Sequence, residues 1–335
     1  MTSTPSADLN AGRPALWPGV ELHVVSGKGG TGKTTVAAAL ALALARDGKR
    51  ALLMEVEGRQ GIAQLFDVPP LPYEERVVAV APNGGEVWAL AVDAEEALLD
   101  YLELFYNLRR AGSALRKMGA VDFVTTIAPG LRDVLLTGKA CEVVRRSDKS
   151  AIDAYDAVII DAPPTGRITR FLNVNAEVSG LAKMGPIRNH ADLVMSVIAS
   201  PRTAVHLVTL LEEMPVQETV DGIADLRAND LPVGGIFVNM IRPDIVSEPL
   251  NESVEAAAIT AALSSVGITS SSINLGQVLI DEGNDHSRRT ALQSRELLRI
   301  QETGLPVIEL PFLADGVDLG GLYELAQVMT DSGVR

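Results

Sequence analysis

The sequence predicts an α/β fold: a mostly parallel, doubly wound sheet flanked by helices, with an added helical subdomain. Three observations carry this expectation. Short, continuously apolar, β-rich runs recur along the chain, as strands buried on both faces do. Each is followed by helical patterning, the alternation that builds parallel sheets from strand-helix-strand crossovers. A glycine-rich loop also sits between the first such run and the first such helix.

In chain order, strands are expected at LHVVS (22–26), RALLMEV (50–56), VWALAV (87–92), DAVIIDA (156–162), VHLVTL (205–210), GGIFVNM (234–240) and PVIEL (306–310). The apolar run from Val36 to Ala45 falls well short of the roughly 20 residues a bilayer-spanning helix needs. It reads as a helix buried in the protein. Residues 94–148 and 171–200 are too long for simple crossovers and carry apolar residues at helical spacing, so they are expected to contribute the helical subdomain. Residues 245–303 read as two helices around the serine-rich loop SSVGITSSSINLG. Residues 1–19 lack both a basic and a long apolar region, so a disordered leader is expected there, followed by a single domain over 20–330.

Composition narrows the function classes. With 29 basic and 43 acidic residues the formal charge is -14, which repels phosphate backbones and anionic lipid. Neither a nucleic-acid partner nor an integral membrane segment is expected. Cys141 is the single cysteine, which rules out an intrachain disulfide or thiolate cluster and suits a reducing, cytoplasmic location. His23, His190, His206 and His286 show no metal-ligand spacing.

The loop Gly27-Lys28-Gly29-Gly30-Thr31-Gly32-Lys33-Thr34 satisfies G-x-x-x-x-G-K-[ST] between a predicted strand and a predicted helix. Chance alone produces the pattern in a chain of this size at a rate on the order of a per cent. The glycines let backbone N–H groups converge on a phosphate, the helix N-terminus adds a positive dipole end, and Lys33 bridges the outer phosphates. Thr34 is placed to ligate Mg²⁺ and Thr35 to contact the α-phosphate. The fold is therefore expected to be a P-loop NTPase sheet binding ATP and Mg²⁺.

With lysine as its second residue, GKGGTGKTT resembles the deviant Walker A ATPases, in which that lysine reaches across a dimer interface to the partner's nucleotide. The resemblance gives Lys28 a catalytic role in trans, analogous to an arginine finger. LLMEVEGRQGIAQLF places Glu57 where the arsenical pump ATPase (ArsA) and the ATPase that targets tail-anchored membrane proteins carry a water-orienting aspartate. By alignment Glu57 inherits that role, although Gly58-Arg59-Gln60 departs from the family's Pro-Ala-His. DAVIIDAPPTGRITRFL puts Asp161 at a strand end, placed to hold Mg²⁺ through a water, and its Pro163-Pro164-Thr165-Gly166 resembles the family's switch II. APGLRDVLLTGKACEV and LEEMPVQET resemble two further family segments. Asn239 falls where the family reads adenine, and the segment 305–325, Pro311 included, would supply the loop over the base.

The combination EVEGRQGIAQLFDVPPLPY with IAPGLRDVLLTGK resembles the actinobacterial branch of this family, described as anion-transporting ATPases. That resemblance implies a dimeric Mg²⁺-dependent ATPase, a homodimer or a heterodimer with a paralogous subunit, that couples ATP hydrolysis to dimer opening and closing and to a possible protein client. The alternative is a slowly hydrolysing or non-hydrolysing regulatory module acting with a paralogous subunit. The cysteine count excludes ArsA's metalloid thiolates and the targeting ATPases' Cys-x-x-Cys zinc clip. In the targeting ATPases the helical subdomain forms a client groove. Leu99, Leu102, Leu104, Phe105 and Leu108, with Tyr101 and Tyr106 nearby, could line one here, while the plainer reading is an apolar stripe packed into the core.

Overall fold

The computed structural model describes residues 14–106, 129–146, 154–173, 186–245, 255–270 and 272–335. Eight strands form one sheet in the order β3-β4-β2-β5-β1-β6-β7-β8. They are β1 (Leu22–Gly27), β2 (Arg50–Glu55), β3 (Arg76–Ala81), β4 (Gly85–Ala91), β5 (Ala157–Asp161), β6 (Thr203–Thr209), β7 (Val233–Ile241) and β8 (Val307–Pro311). All pairings are parallel except β3 with β4. The α/β class read from the sequence is thus the observed one, and seven of the strands lie where the apolar runs put them.

The eighth strand, β3, escaped the sequence reading for a physical reason. Only the short turn Pro82–Gly84 separates it from β4, so it takes no part in the strand-helix alternation. As an antiparallel edge strand it also leaves Val77 and Val80 exposed, and a half-solvated strand lacks the buried-run signature.

Two apolar layers cover the sheet. On one face helix α1 (Lys33–Leu44) is buried from Val36 to Leu44 and packs with the C-terminal helix Leu319–Asp331. A helix apolar on all sides must be enclosed on all sides. On the other face lie helices Pro129–Arg146, Thr165–Leu172, Pro186–Ile198 and Glu213–Ala228.

Of the expected helical subdomain, the described parts are helices Ala94–Tyr106, Pro129–Arg146 and Pro186–Ile198. Leu99 packs against the core. The other groove candidates, Tyr101, Leu102, Leu104, Phe105, Tyr106 and Leu108, lie outside what is described of the side chains. Within the expected leader, residues 1–13 also lie outside the described residues. Residues 14–19 are docked: Leu16 bridges to Val334, and the Trp17 indole donates to the Gly234 carbonyl at 2.8 Å.

Candidate functional site

Strand β5 enters the sheet between β2 and β1, and β6 pairs with the other side of β1. The chain leaving β1 therefore emerges at a crevice at the carboxyl ends of the strands, where open α/β sheets bind ligands. Gly27 to Gly32 form that exit. A side chain at Gly27 would collide with the Val208 carbonyl on β6, and Gly32 takes a left-handed φ of 85° against the Asn239 amide. Glycine is required at both positions. Gly32 also caps α1 with no side-chain hydrogen bond, and the first turn carries no acid. The N–H groups at that helix start are thus available to an anion.

The other loop residues assemble around this cradle. Gly29 and Gly30 have open space around them. The Thr31 hydroxyl donates to the Lys28 carbonyl at 2.9 Å, and the Lys33 ammonium reaches the same carbonyl at 3.4 Å. Burial lowers the pKa of Lys33, opposed by the charges of Asp161, Glu57 and Glu218. Thr34 and Thr35 open α1 behind it. The Thr34 hydroxyl donates to Asp161 Oδ2 at 2.7 Å.

Asp161 is brought there by register: on the neighbouring strands it stands opposite Val25 of β1 and Glu55 of β2. Burial is the main cause that pushes its carboxyl up to about 6, against the Thr34 hydrogen bond and the Lys33 charge, with Glu55 and Glu57 adding to the rise. A hydroxyl and a half-buried carboxylate in contact beside an open glycine cradle suit a divalent cation on a phosphate chain. The residues present fit Mg²⁺ with a nucleotide.

The segments that follow β2 and β5 meet beside the cradle. Ser26 at the end of β1 donates to the Pro163 carbonyl at 2.6 Å, which fixes the run through Pro164. Thr165 and Gly166 then begin helix Thr165–Leu172, and the Thr165 side chain is buried against Gly222. Glu57 lies between two guanidinium groups, Arg59 at 3.4 Å and Arg167 at 3.6 Å. It thereby ties the segment after β2 to the start of helix Thr165–Leu172.

Lys28 extends toward Glu218 of its own chain, with Nζ 3.8 Å from the carboxylate. The Asn239 amide is buried and donates to the Thr31 carbonyl at 2.9 Å, while its oxygen accepts from the Met240 N–H. It therefore braces the loop, keeping one N–H and one lone pair for the cavity it lines. That cavity, about 510 Å³, is bounded by Leu211, Met240, Arg242, Gln293 and Phe312. Pro311 ends β8 opposite Ile241, and Phe312 follows it with the Arg242 guanidinium 4.5 Å from its ring centre. The size and the aromatic wall suit a nucleobase.

Sequence reasoning missed three participants. Glu55, buried at the end of β2, accepts hydrogen bonds from the Gln60 N–H and, at 3.2 Å, from the Ile62 N–H, holding the segment around Glu57 in place. A charged residue closing an apolar strand was its only signal. Glu218 and Arg167 lie within quoted motifs, but their partners are far away in sequence. Among the described residues no group of three or more histidine, cysteine, aspartate or glutamate side chains could hold a metal ion by itself. No described helix is long and apolar enough to cross a membrane. Cys141 is buried, and that burial raises its thiol to about 12, so it is an inert core residue.

Comparison with known proteins agrees with this geometry. The sequence profile of the anion-transporting ATPase family matches residues 20–331. The ATPase BagA of Mycobacterium tuberculosis is 49% identical over 340 residues, covering 100% of both chains. An arsenical pump-driving ATPase of Acidiphilium multivorum is 25% identical over 89% of this chain and 53% of its own length. The ATPase GET3 of Kluyveromyces lactis is 27% identical over 65% of this chain and 71% of its own.

Proposed function

The chain belongs to the anion-transporting ATPase family, and from that premise we propose that it is a Mg²⁺-dependent, cytoplasmic ATPase that works as a dimer. ATP binding and hydrolysis would drive dimer opening and closing and the handling of a client or partner subunit. The observation that supports this most is the contact between Thr34 and Asp161 at 2.7 Å beside the uncapped start of α1. Thr34, through its hydroxyl, and Asp161, through its carboxylate, would hold a Mg²⁺ ion beside bound phosphates.

In this reading the backbone N–H groups of Gly29 to Gly32 bind the phosphates, Lys33 neutralises charge on the outer two, and Thr35 contacts the α-phosphate. The cation supplies charge neutralisation and in-line orientation when bound. Asn239, Pro311 and Phe312 enclose the base. Glu57 orients the attacking water once Arg59 and Arg167 release it, and Lys28 leaves Glu218 to serve a second subunit's nucleotide.

A second reading has one observation in its favour. Glu57 is engaged by two guanidinium groups, and a carboxylate held that way is a weak water-orienting group. The protein would then hydrolyse slowly and act as a nucleotide-dependent regulatory module with a paralogous subunit.

One experiment tests both. Lys33→Ala is expected to abolish ATP binding, and Lys28→Ala to spare binding while lowering turnover at least about 10-fold. Full turnover in Lys28→Ala would overturn the trans role. A wild-type single-turnover rate that stays slow with Mg²⁺ and with saturating protein would select the regulatory reading.

A further inference from the structure

A second cavity, of about 600 Å³, shares no lining residue with the proposed base cavity. Arg50 opens β2 and Tyr155 comes just before β5, so this cavity lies toward the amino ends of the strands, whereas the glycine cradle lies at their carboxyl ends. Trp88 and Leu90 of β4 line it from the sheet, and Tyr73 to Glu75 from the segment ahead of β3. Asp100 of helix Ala94–Tyr106 and Lys139 and Arg146 of helix Pro129–Arg146 line it from the helical layer. Its volume falls within the roughly 300–1,000 Å³ of small-molecule sites.

The walls carry a continuous run of matched charges. Arg146 meets Glu75 at 2.8 Å and Glu142 at 3.1 Å, and Lys139 meets Glu142 at 2.9 Å and Asp100 at 3.0 Å. The Tyr73 hydroxyl donates to Asp100 Oδ2 and the Tyr155 hydroxyl to Glu75 Oε2, both at 2.8 Å. Burial, and after it these hydrogen bonds, raises both phenols above their ordinary value and keeps them neutral. The Arg50 guanidinium lies 4.9 Å from the Trp88 ring centre and 5.0 Å from that of Tyr155, and the Lys139 ammonium 5.5 Å from that of Tyr73. Hydrogen-bonding capacity is left over. Among the described residues Asp100 Oδ1 has no hydrogen-bond partner, Lys139 keeps one N–H, and Glu75 and the two phenols keep acceptor lone pairs.

We propose that this cavity binds a neutral sugar of mono- or disaccharide size. Charge and shape select that chemistry. The lining sets Arg50, Lys139 and Arg146 against Glu74, Glu75 and Asp100, so its charge balances, and an ion of either sign would have to break an existing pair to be held. A cation finds the rings already engaged by Arg50 and Lys139. An anion meets a chain of formal charge -14. A flat base fits poorly, because the Trp88 and Tyr155 rings are inclined at 71° and one plane cannot stack on both. A neutral sugar answers each point. Its hydroxyls donate and accept at once, as the leftover carboxylate, ammonium and phenol groups require. Its C–H edges and faces pack against rings at differing inclinations, and it leaves the ion pairs intact. The proposal stands apart from the ATPase reading and does not depend on it.

The test uses the full chain carrying Trp17→Phe, which leaves Trp88 as the single tryptophan, so that indole fluorescence reports on the cavity. Glucose, galactose, mannose, maltose, lactose and sucrose are titrated, with galacturonate, putrescine and adenosine as the anionic, cationic and planar comparisons. At least one neutral sugar is expected to change the emission saturably, with a dissociation constant of about 1 mM or tighter. The three comparison compounds should bind at least about 10-fold more weakly. Asp100→Asn and Glu75→Gln should each weaken the sugar about 10-fold and leave ATP-analogue affinity unchanged. Tyr73→Phe removes one hydroxyl at nearly constant shape, should act in the same direction, and serves if a carboxylate variant fails to fold.

No saturable change with any of the neutral sugars overturns the proposal. So does tighter binding of galacturonate, putrescine or adenosine, or sugar binding that the folded variants at Asp100, Glu75 and Tyr73 all leave unchanged. Absence of nucleotide binding would instead sink the ATPase reading and leave the cavity result standing.

Discussion

Gly222→Ala perturbs the start of helix Thr165–Leu172, the proposed switch II, without touching any group proposed to contact nucleotide. Gly222 lies in helix Glu213–Ala228, where alanine would improve helix propensity by about 1 kcal/mol. The added Cβ would come within 3.0 Å of the Thr165 Cγ2 methyl and in ordinary contact with Leu207, at 3.7 Å from its Cδ1. Thr165 is buried, so the first residue of the switch II helix must move by several tenths of an ångström. Overpacking of this kind costs about 1–3 kcal/mol. Set against the propensity gain, the net change in stability should lie between about 0 and 2 kcal/mol. Turnover should fall more than stability does, because a displacement at Thr165 shifts Gly166 and the Pro163-Pro164 run that Ser26 anchors. Single-turnover ATP hydrolysis and urea unfolding, measured on Gly222→Ala, Thr165→Ser and the double variant, would show it. Thr165→Ser removes the clashing methyl, so the double variant should recover most of the lost rate, with a coupling energy of about 1 kcal/mol or more. Wild-type turnover in Gly222→Ala, or strictly additive effects in the double variant, would refute the argument that switch II geometry is set by this packing.

Two further outcomes follow from the same geometry. Asn239→Ala leaves the Thr31 carbonyl short of a buried donor, a loss of about 1–2 kcal/mol. Affinity for ATP and GTP should therefore fall together by roughly 10-fold, and a loss confined to ATP would assign the amide to base reading alone. His23 and His206 are buried with their ring nitrogens 2.9 Å apart; burial lowers His23 to about 4 and His206 well below its ordinary value. Between those values and 6.5 the unfolded chain binds more protons than the folded one, so stability is complete above about pH 7 and falls as the pH drops. For His23 alone the loss between pH 7 and 4 is about 3 kcal/mol. Urea unfolding that is flat from pH 7 to 5 would contradict it.

How much of this was legible in the sequence depended on how local each feature is. The glycine-rich loop could be read residue by residue, because Gly27 and Gly32 meet a local backbone requirement and Lys33 and Thr34 follow directly at the start of the helix. Buried strands could be read because enclosure on both faces leaves a continuous apolar run. Asp161 could be placed at a strand end, and Asn239 at another, without knowledge of which strands are neighbours. The edge strand β3, half-solvated and antiparallel, had no such run.

What the sequence alone determined, then, is the set of groups the chain can offer: a glycine-rich loop before a helix, a lysine, a hydroxyl and a strand-end carboxylate, which the proposed function assigns to phosphate and a cation. The tertiary structure decided which groups meet. His23 and His206 pair because β1 and β6 are adjacent; Glu55 and Asp161 stand side by side because β5 enters between β2 and β1; Lys28 faces Glu218 because helix Glu213–Ala228 packs beside the loop. Each of these contacts joins residues far apart in the chain. Strand order, set by the burial of whole apolar faces, brings them together, and a linear pattern of side chains does not encode that order locally.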